Sequence, residues 1–204
     1  SMSQNEDKIM AFWQWFVKSE SIIKDCIENE TEKNRDHVVE QLNNLILNIG
    51  AFSWDIGLDD SNSWFLTISP NSDRDQFKVS KEIMEYAPDH MNWTFHSSKP
   101  AKDWDRTFKI HNYNLDIVDI DANSWNYIVF EEDDGRLELI FEANNMTHID
   151  EETALSAAHQ FVTHELGEAL KIERIASVEI VPLLESEYDD SKEPITEIKE
   201  HLAE

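Results

Sequence analysis

From Ile9 to Ile27 the apolar residues Ile9, Phe12, Trp13, Phe16, Ile23 and Ile27 return at helical spacing, and Val38, Leu42, Leu45, Ile46 and Ile49 do the same. Two amphipathic helices are therefore expected to open the chain. Gly50 ends the second, as glycine commonly does just past a helix C-terminus. The period then changes. Phe52, Trp54, Ile56 and Leu58 alternate with other residues, Asp59-Asp60-Ser61-Asn62-Ser63 turns, and Trp64 to Ser69 returns as a β-rich run, which together predict a hairpin. Asn71, Ser72 and Asp73 offer N-caps to a helix carrying Val79, Ile83 and Met84, which Pro88 must end. Met91 to His96 predicts a third strand with Trp93 and Phe95 on one face.

The same order recurs in the second half. Trp125 to Glu131 and Arg136 to Glu142 read as strands across Asp133-Asp134-Gly135, where glycine supplies positive φ. Asp150 caps a helix expected to run from Glu151 to about Ala169, and Ile175 to Val181 follows as a strand before Pro182. Between the halves, alternation around Phe108 and Ile110 and again from Leu115 to Ile120 predicts one or two further strands. After Pro194, the spacing of Ile195, Ile198 and Leu202 predicts a short final helix. The fold class is α+β: two N-terminal helices followed by two ββαβ-like halves with mostly antiparallel sheet. The expected division is a helical pair at 1–50, a first ββαβ half at 51–100, and linking strands, second half and tail at 101–204, packed as one compact domain overall.

Charge changes the picture more than composition does. Hydrophobic residues at 40% and seven Trp against four Gly and five Pro imply a packed core. The 43 acidic residues against 17 basic ones give a net charge of −26, which repels nucleic-acid backbones and anionic membranes and favours a basic protein partner. The plainer use of such charge is solubility. The single cysteine, Cys26, forms no intramolecular disulfide and, among Ile22, Ile23 and Ile27, is expected to be a small buried hydrophobe rather than a nucleophile. No apolar run has the length of a membrane span and no signal-peptide pattern opens the chain, so a cytoplasmic protein is expected. Ser1 ahead of Met2 reads as a remnant of tag cleavage.

The most chemical string is His164-Glu165-Leu166-Gly167-Glu168. A zinc protease motif needs imidazoles at i and i+4 on one helix with a glutamate between them; here Glu168 stands in the second position. His164 and Glu168 would contribute two ligands, and a third would come from His159, His148 or an acidic loop. The wheel places His159 on the face of Leu155, Val162 and Leu166, away from the other two, so a solvated helix face is the preferred reading. Asp116, Asp119 and Asp121, and also Asp59 and Asp60, are near-neighbour carboxylates of the kind that an acidic chain produces by chance, and neither set has a calcium-loop pattern. Phosphate-binding glycine loops and nucleophile motifs are lacking, and no cofactor is expected. Most aromatics read as core, including Trp13, Phe16, Trp54 and Trp93. Trp104, between Asp103 and Asp105 in a polar stretch, reads as an exposed contact anchor.

Three segments carry a resemblance: Phe12-Trp13-Gln14-Trp15-Phe16; Ala87-Pro88 leading to Trp93-Thr94-Phe95 and Lys99-Pro100-Ala101; and Leu166-Gly167-Glu168. In this order they resemble a Bacteroidetes-type bacterial family without an assigned activity. The resemblance implies no catalytic residue, and it makes Leu166-Gly167-Glu168 a helix-ending feature. The leading functional expectation is a non-enzymatic acidic binding module, such as an immunity-type or inhibitor protein facing a basic partner. The alternatives are a metal-binding protein or metal-dependent hydrolase built on His164 and Glu168, and mimicry of duplex DNA by an acidic face. Oligomeric state is left open.

Overall fold

The computed structural model describes residues 4–203, so Ser1, read above as a tag remnant, lies outside them. The chain divides into two compact units meeting in sequence at Lys99 and Pro100.

The first unit opens with α1 (Glu6–Glu28) and α2 (Arg35–Ile49), packed on each other. The predicted stripes are mostly buried, Ile9, Phe12, Trp13, Phe16 and Ile23 on α1 and Val38, Leu42, Ile46 and Ile49 on α2, with Ile27 and Leu45 half-buried and Cys26 buried beside them. Burial also pushes the Cys26 thiol upward in pKa, as suits an inert core thiol. Strands β1 (Ser53–Leu58) and β2 (Trp64–Ser69) pair antiparallel, α3 (Arg74–Glu85) crosses over, and β3 (Trp93–His96) returns parallel to β2. Asp73 caps α3 by accepting from the Gln76 N–H at 2.8 Å. Trp13 Nε1 donates to the Ile83 carbonyl at 2.8 Å and stitches α1 to α3. Trp54 and Trp93 are half-buried rather than interior, because their indole N–H groups reach out to Asn43 and Glu20. Gly50 does end α2, but through an extended backbone. A Cβ there would stand 2.4 Å from Gln76 Oε1 and 2.7 Å from the Phe52 ring, so close approach explains the glycine.

The second unit begins with a separate two-stranded sheet, β4 (Thr107–His111) antiparallel to β5 (Ile117–Asp121). Then β6 (Asn126–Glu131) and β7 (Leu137–Glu142) form the hairpin closed by Gly135 at φ 84°. Helices α4 (Glu151–Leu166) and α5 (Glu168–Arg174) make the crossover, and β8 (Ile175–Val181) returns parallel to β7. Both halves thus share the ββαβ order in an α+β chain whose strand pairs are mostly antiparallel. The expected single helix to about Ala169 is corrected: Gly167, at φ 87°, breaks it after Leu166. The tail gives the short strand β9 (Glu193–Pro194), which pairs with β6, and the short helix α6 (Ile198–Leu202). Ile195, Ile198 and Leu202 enter the same core as Trp125, Phe141 and Phe161. No helix among the described residues is long and apolar enough to cross a membrane.

Candidate interaction surface

The route from Pro100 to the β4–β5 hairpin is set by one buried carboxylate. Glu165, 1% exposed on α4, accepts from Arg106 Nε at 2.6 Å and from Trp104 Nε1 at 3.2 Å, with Lys199 Nζ 4.0 Å away. A carboxylate this deep is tolerable only with such donors around it. Alongside, the Lys102 N–H donates to the His164 carbonyl at 2.7 Å, and Lys199 Nζ donates to the Lys102 carbonyl at 2.8 Å. A Cβ on Gly167 would approach Ala101 N to 3.2 Å, so the break between α4 and α5 is also where the strap over residues 100–106 lies closest.

This geometry corrects several expectations. Trp104 is half-buried, its ring 5.9 Å from Phe161, 5.6 Å from Phe108 and edge-on to His164 at 5.1 Å, so it anchors the strap inward. Asp103 and Asp105 are exposed, but Asp105 is engaged locally. It accepts from the Thr107 hydroxyl at 2.6 Å and the Thr107 N–H at 3.0 Å, which hold its carboxyl below the usual range. His164 and Glu168 lie on two different helices, and Glu168 is buried, so neither a shared i, i+4 helical face nor a solvated one describes them. His159 sits about 140° around α4 from His164. Burial and the Lys171 charge lower its pKa. His148 is exposed after the turn at Asn144–Met146. Among the described residues no three His, Cys, Asp or Glu side chains stand together as a metal site would need. Asp59 caps its hairpin turn by accepting from the Ser61 and Ser63 N–H groups, both at 2.9 Å, while Asp60 is simply exposed.

Beyond the strap, the hairpin alternates cleanly. Phe108, Ile110, Val118 and Ile120 face the core, while Thr107, Lys109, His111, Ile117, Asp119 and Asp121 face out. Lys109 is paired with Asp119 across the strands, and Asp121 accepts from the Asn123 N–H at 2.9 Å. The tip is locked by backbone bonds from Asn112 N to the Asp116 carbonyl at 3.0 Å and from Leu115 N to the Asn112 carbonyl at 2.9 Å. The Asn112 side chain adds two more, accepting from the Asn114 and Asp116 N–H groups at 2.9 and 3.0 Å.

What this rigid tip displays is apolar. Tyr113 and Leu115 are 78% exposed and Ile117 62%. Among the described residues no other stretch exposes three large apolar side chains within five positions. Leu115 also holds φ 65°, a left-handed conformation that bulky residues rarely adopt. Ile117 lies in a strand as expected, whereas Leu115 falls in the turn before it, and the alternation that marks Leu115 to Ile120 as strand gives no sign that Asp116, Asp119 and Asp121 border an exposed apolar tip. An available signal was apolar Tyr113 and Leu115 set among Asn112, Asn114 and Asp116, where a turn would ordinarily be polar throughout. No known protein family, curated protein or solved structure matches the chain.

Proposed function

We propose that this chain is a non-enzymatic acidic binding module that docks a basic protein through the β4–β5 hairpin, in the manner of an inhibitor or immunity-type protein. The observation that supports this most is the fixed display of Tyr113, Leu115 and Ile117 beside exposed Asp116, Asp119 and Asp121. Folding leaves all three apolar side chains in water, and Leu115 adds backbone strain that an asparagine or glycine would avoid. Burying each on a partner is worth about 1.5–3 kcal/mol, partly offset by the freedom that two associating molecules lose. A tip already held by four hydrogen bonds loses little more. The carboxylates and the net charge of −26 then select a cationic surface and speed its approach.

The test compares the wild-type chain with a Tyr113→Ser, Leu115→Ser, Ile117→Ser variant as bait in lysate of the source cells at low and high salt. One basic protein held stoichiometrically by the wild type, absent from the variant and released as salt rises, is the expected result. Identical retention by both baits rejects the hairpin as the docking element.

A further inference from the structure

A second surface of the same unit has the features of a strand-accepting groove. Strand β8 closes one end of the sheet ordered β8-β7-β6-β9, and its far edge pairs with no described strand. A cavity of about 560 Å³ lies against it. Residues 178–182 all line this cavity in succession. Successive strand residues point to opposite faces, and the side of β8 toward β7 is paired, so a space that meets 178 to 182 together reaches the open edge, while its contact with Ala143 puts its inner end beside the end of β7. The opposite wall comes from Met146, Ile149 and the first turns of α4, where Leu155 is 38% exposed. Glu151 and Glu179 are the only ionisable groups in the lining.

We propose that this edge binds an extended peptide segment of a partner, with apolar side chains alternating with Lys or Arg, by adding it as a further strand beside β8. An added strand satisfies the unpaired backbone groups of the edge, which a small apolar ligand would leave unmet. Its apolar side chains enter between Ile180, Met146 and Leu155, and its cations, on the alternate face, meet Glu179. A second copy of the chain fits less well. Two β8 edges paired antiparallel about their centre at Val178 set each Glu179 opposite the other copy's Ser177, which leaves the two Glu179 carboxylates as diagonal neighbours on one face, between molecules that each carry a charge of −26. This site stands independently of the β4–β5 tip.

The experiment uses the full chain and a fluorescein-labelled ten-residue peptide of alternating Val and Lys, read by anisotropy at physiological salt. Saturable binding is expected, weakened about tenfold or more by Leu155→Glu, since a charge enters the apolar wall. The same peptide N-methylated on alternate amides keeps its charges and side chains but cannot form the ladder, and it should not bind. The hairpin variant carrying Ser at 113, 115 and 117 should bind the peptide as the wild type does. Equal binding of the N-methylated peptide shows mere charge attraction and overturns the proposal, as does binding lost through the hairpin variant rather than through Leu155→Glu. Sedimentation showing a dimer that Leu155→Glu dissolves would replace the peptide by a second copy and equally overturn it.

Discussion

Glu165 shares a helix face with Phe161 and Val162, an apolar surface on which an unpartnered carboxylate would be very costly. Its donors Arg106 and Trp104 lie about sixty residues earlier. Replacing it with Ala leaves the mostly buried Arg106 without its carboxylate and the indole N–H without its acceptor, and urea unfolding should show a loss of about 3 kcal/mol. Glu165→Gln keeps an acceptor and should lose less; a loss under about 1 kcal/mol for the Ala variant would refute the anchoring role. Glu142 behaves differently. Burial works to raise its carboxyl pKa, but the Leu184 N–H at 2.9 Å, the Lys192 ammonium at 3.1 Å and the Asn126 amide at 3.0 Å outweigh it, so the value lies below the usual one. A depressed carboxyl contributes stability that is present above its unfolded pKa and lost as pH falls through the folded one. The loss therefore belongs below the model-peptide value of about 4.3. Glu142→Gln should flatten that part of a stability–pH curve. Lys192, raised by its hydrogen bond to Glu142, works the other way, and its contribution fades only in strong alkali as pH rises through the folded value.

At the scale of elements, the hairpin tip separates folding from binding. Leu115→Asn places a residue tolerant of the left-handed region at φ 65° and removes an apolar side chain that the fold does not use. Thermal unfolding should show a gain of about 1 kcal/mol, while retention of the basic partner falls. A variant that loses stability would mean that Leu115 serves the fold after all. Most elements are legible: alternation places β1, a β-rich run places β2, the turn at Asp133-Asp134-Gly135 places β6 and β7, and the run before Pro182 places β8, each within a residue or so. Asp150 is the cap expected, and Asp73 is the one of the three candidates Asn71, Ser72 and Asp73 that caps α3. The helix-ending part expected of Leu166-Gly167-Glu168 is what the structure has, although the periodicity alone carries the helix on to about Ala169. One feature is not legible: β9 is a two-residue strand made by pairing with β6 rather than by any pattern of its own. The candidate surface was hidden for the same reason. Asp116, Asp119 and Asp121 were visible as carboxylates, but only the folded hairpin shows that the face Ile117 shares with Asp119 and Asp121 is the one turned outward.

For the whole molecule, charge acts on folding and on binding with opposite signs. With −26 net charges, compaction works against self-repulsion, which added salt screens. The free energy of unfolding should therefore rise between about 10 mM and 0.5 M NaCl, by denaturant titration at fixed pH. Over the same range the association rate of the proposed basic partner should fall steeply, since that attraction is screened too. Stability that ignores salt would mean that the carboxylates are spaced widely enough for repulsion to be negligible.

The two units differ in when their last piece arrives. The first has its sheet and core complete by His96. The second builds its core partly from Ile195, Ile198 and Leu202, and the β6 edge stays bare until Glu193 and Pro194 reach it. On a ribosome adding about 5–20 residues each second, the first unit is free to fold while the second waits on the order of ten seconds with a sheet edge and apolar core open. That interval makes the later half the part of the nascent chain most in need of a chaperone, and the part a premature stop would ruin.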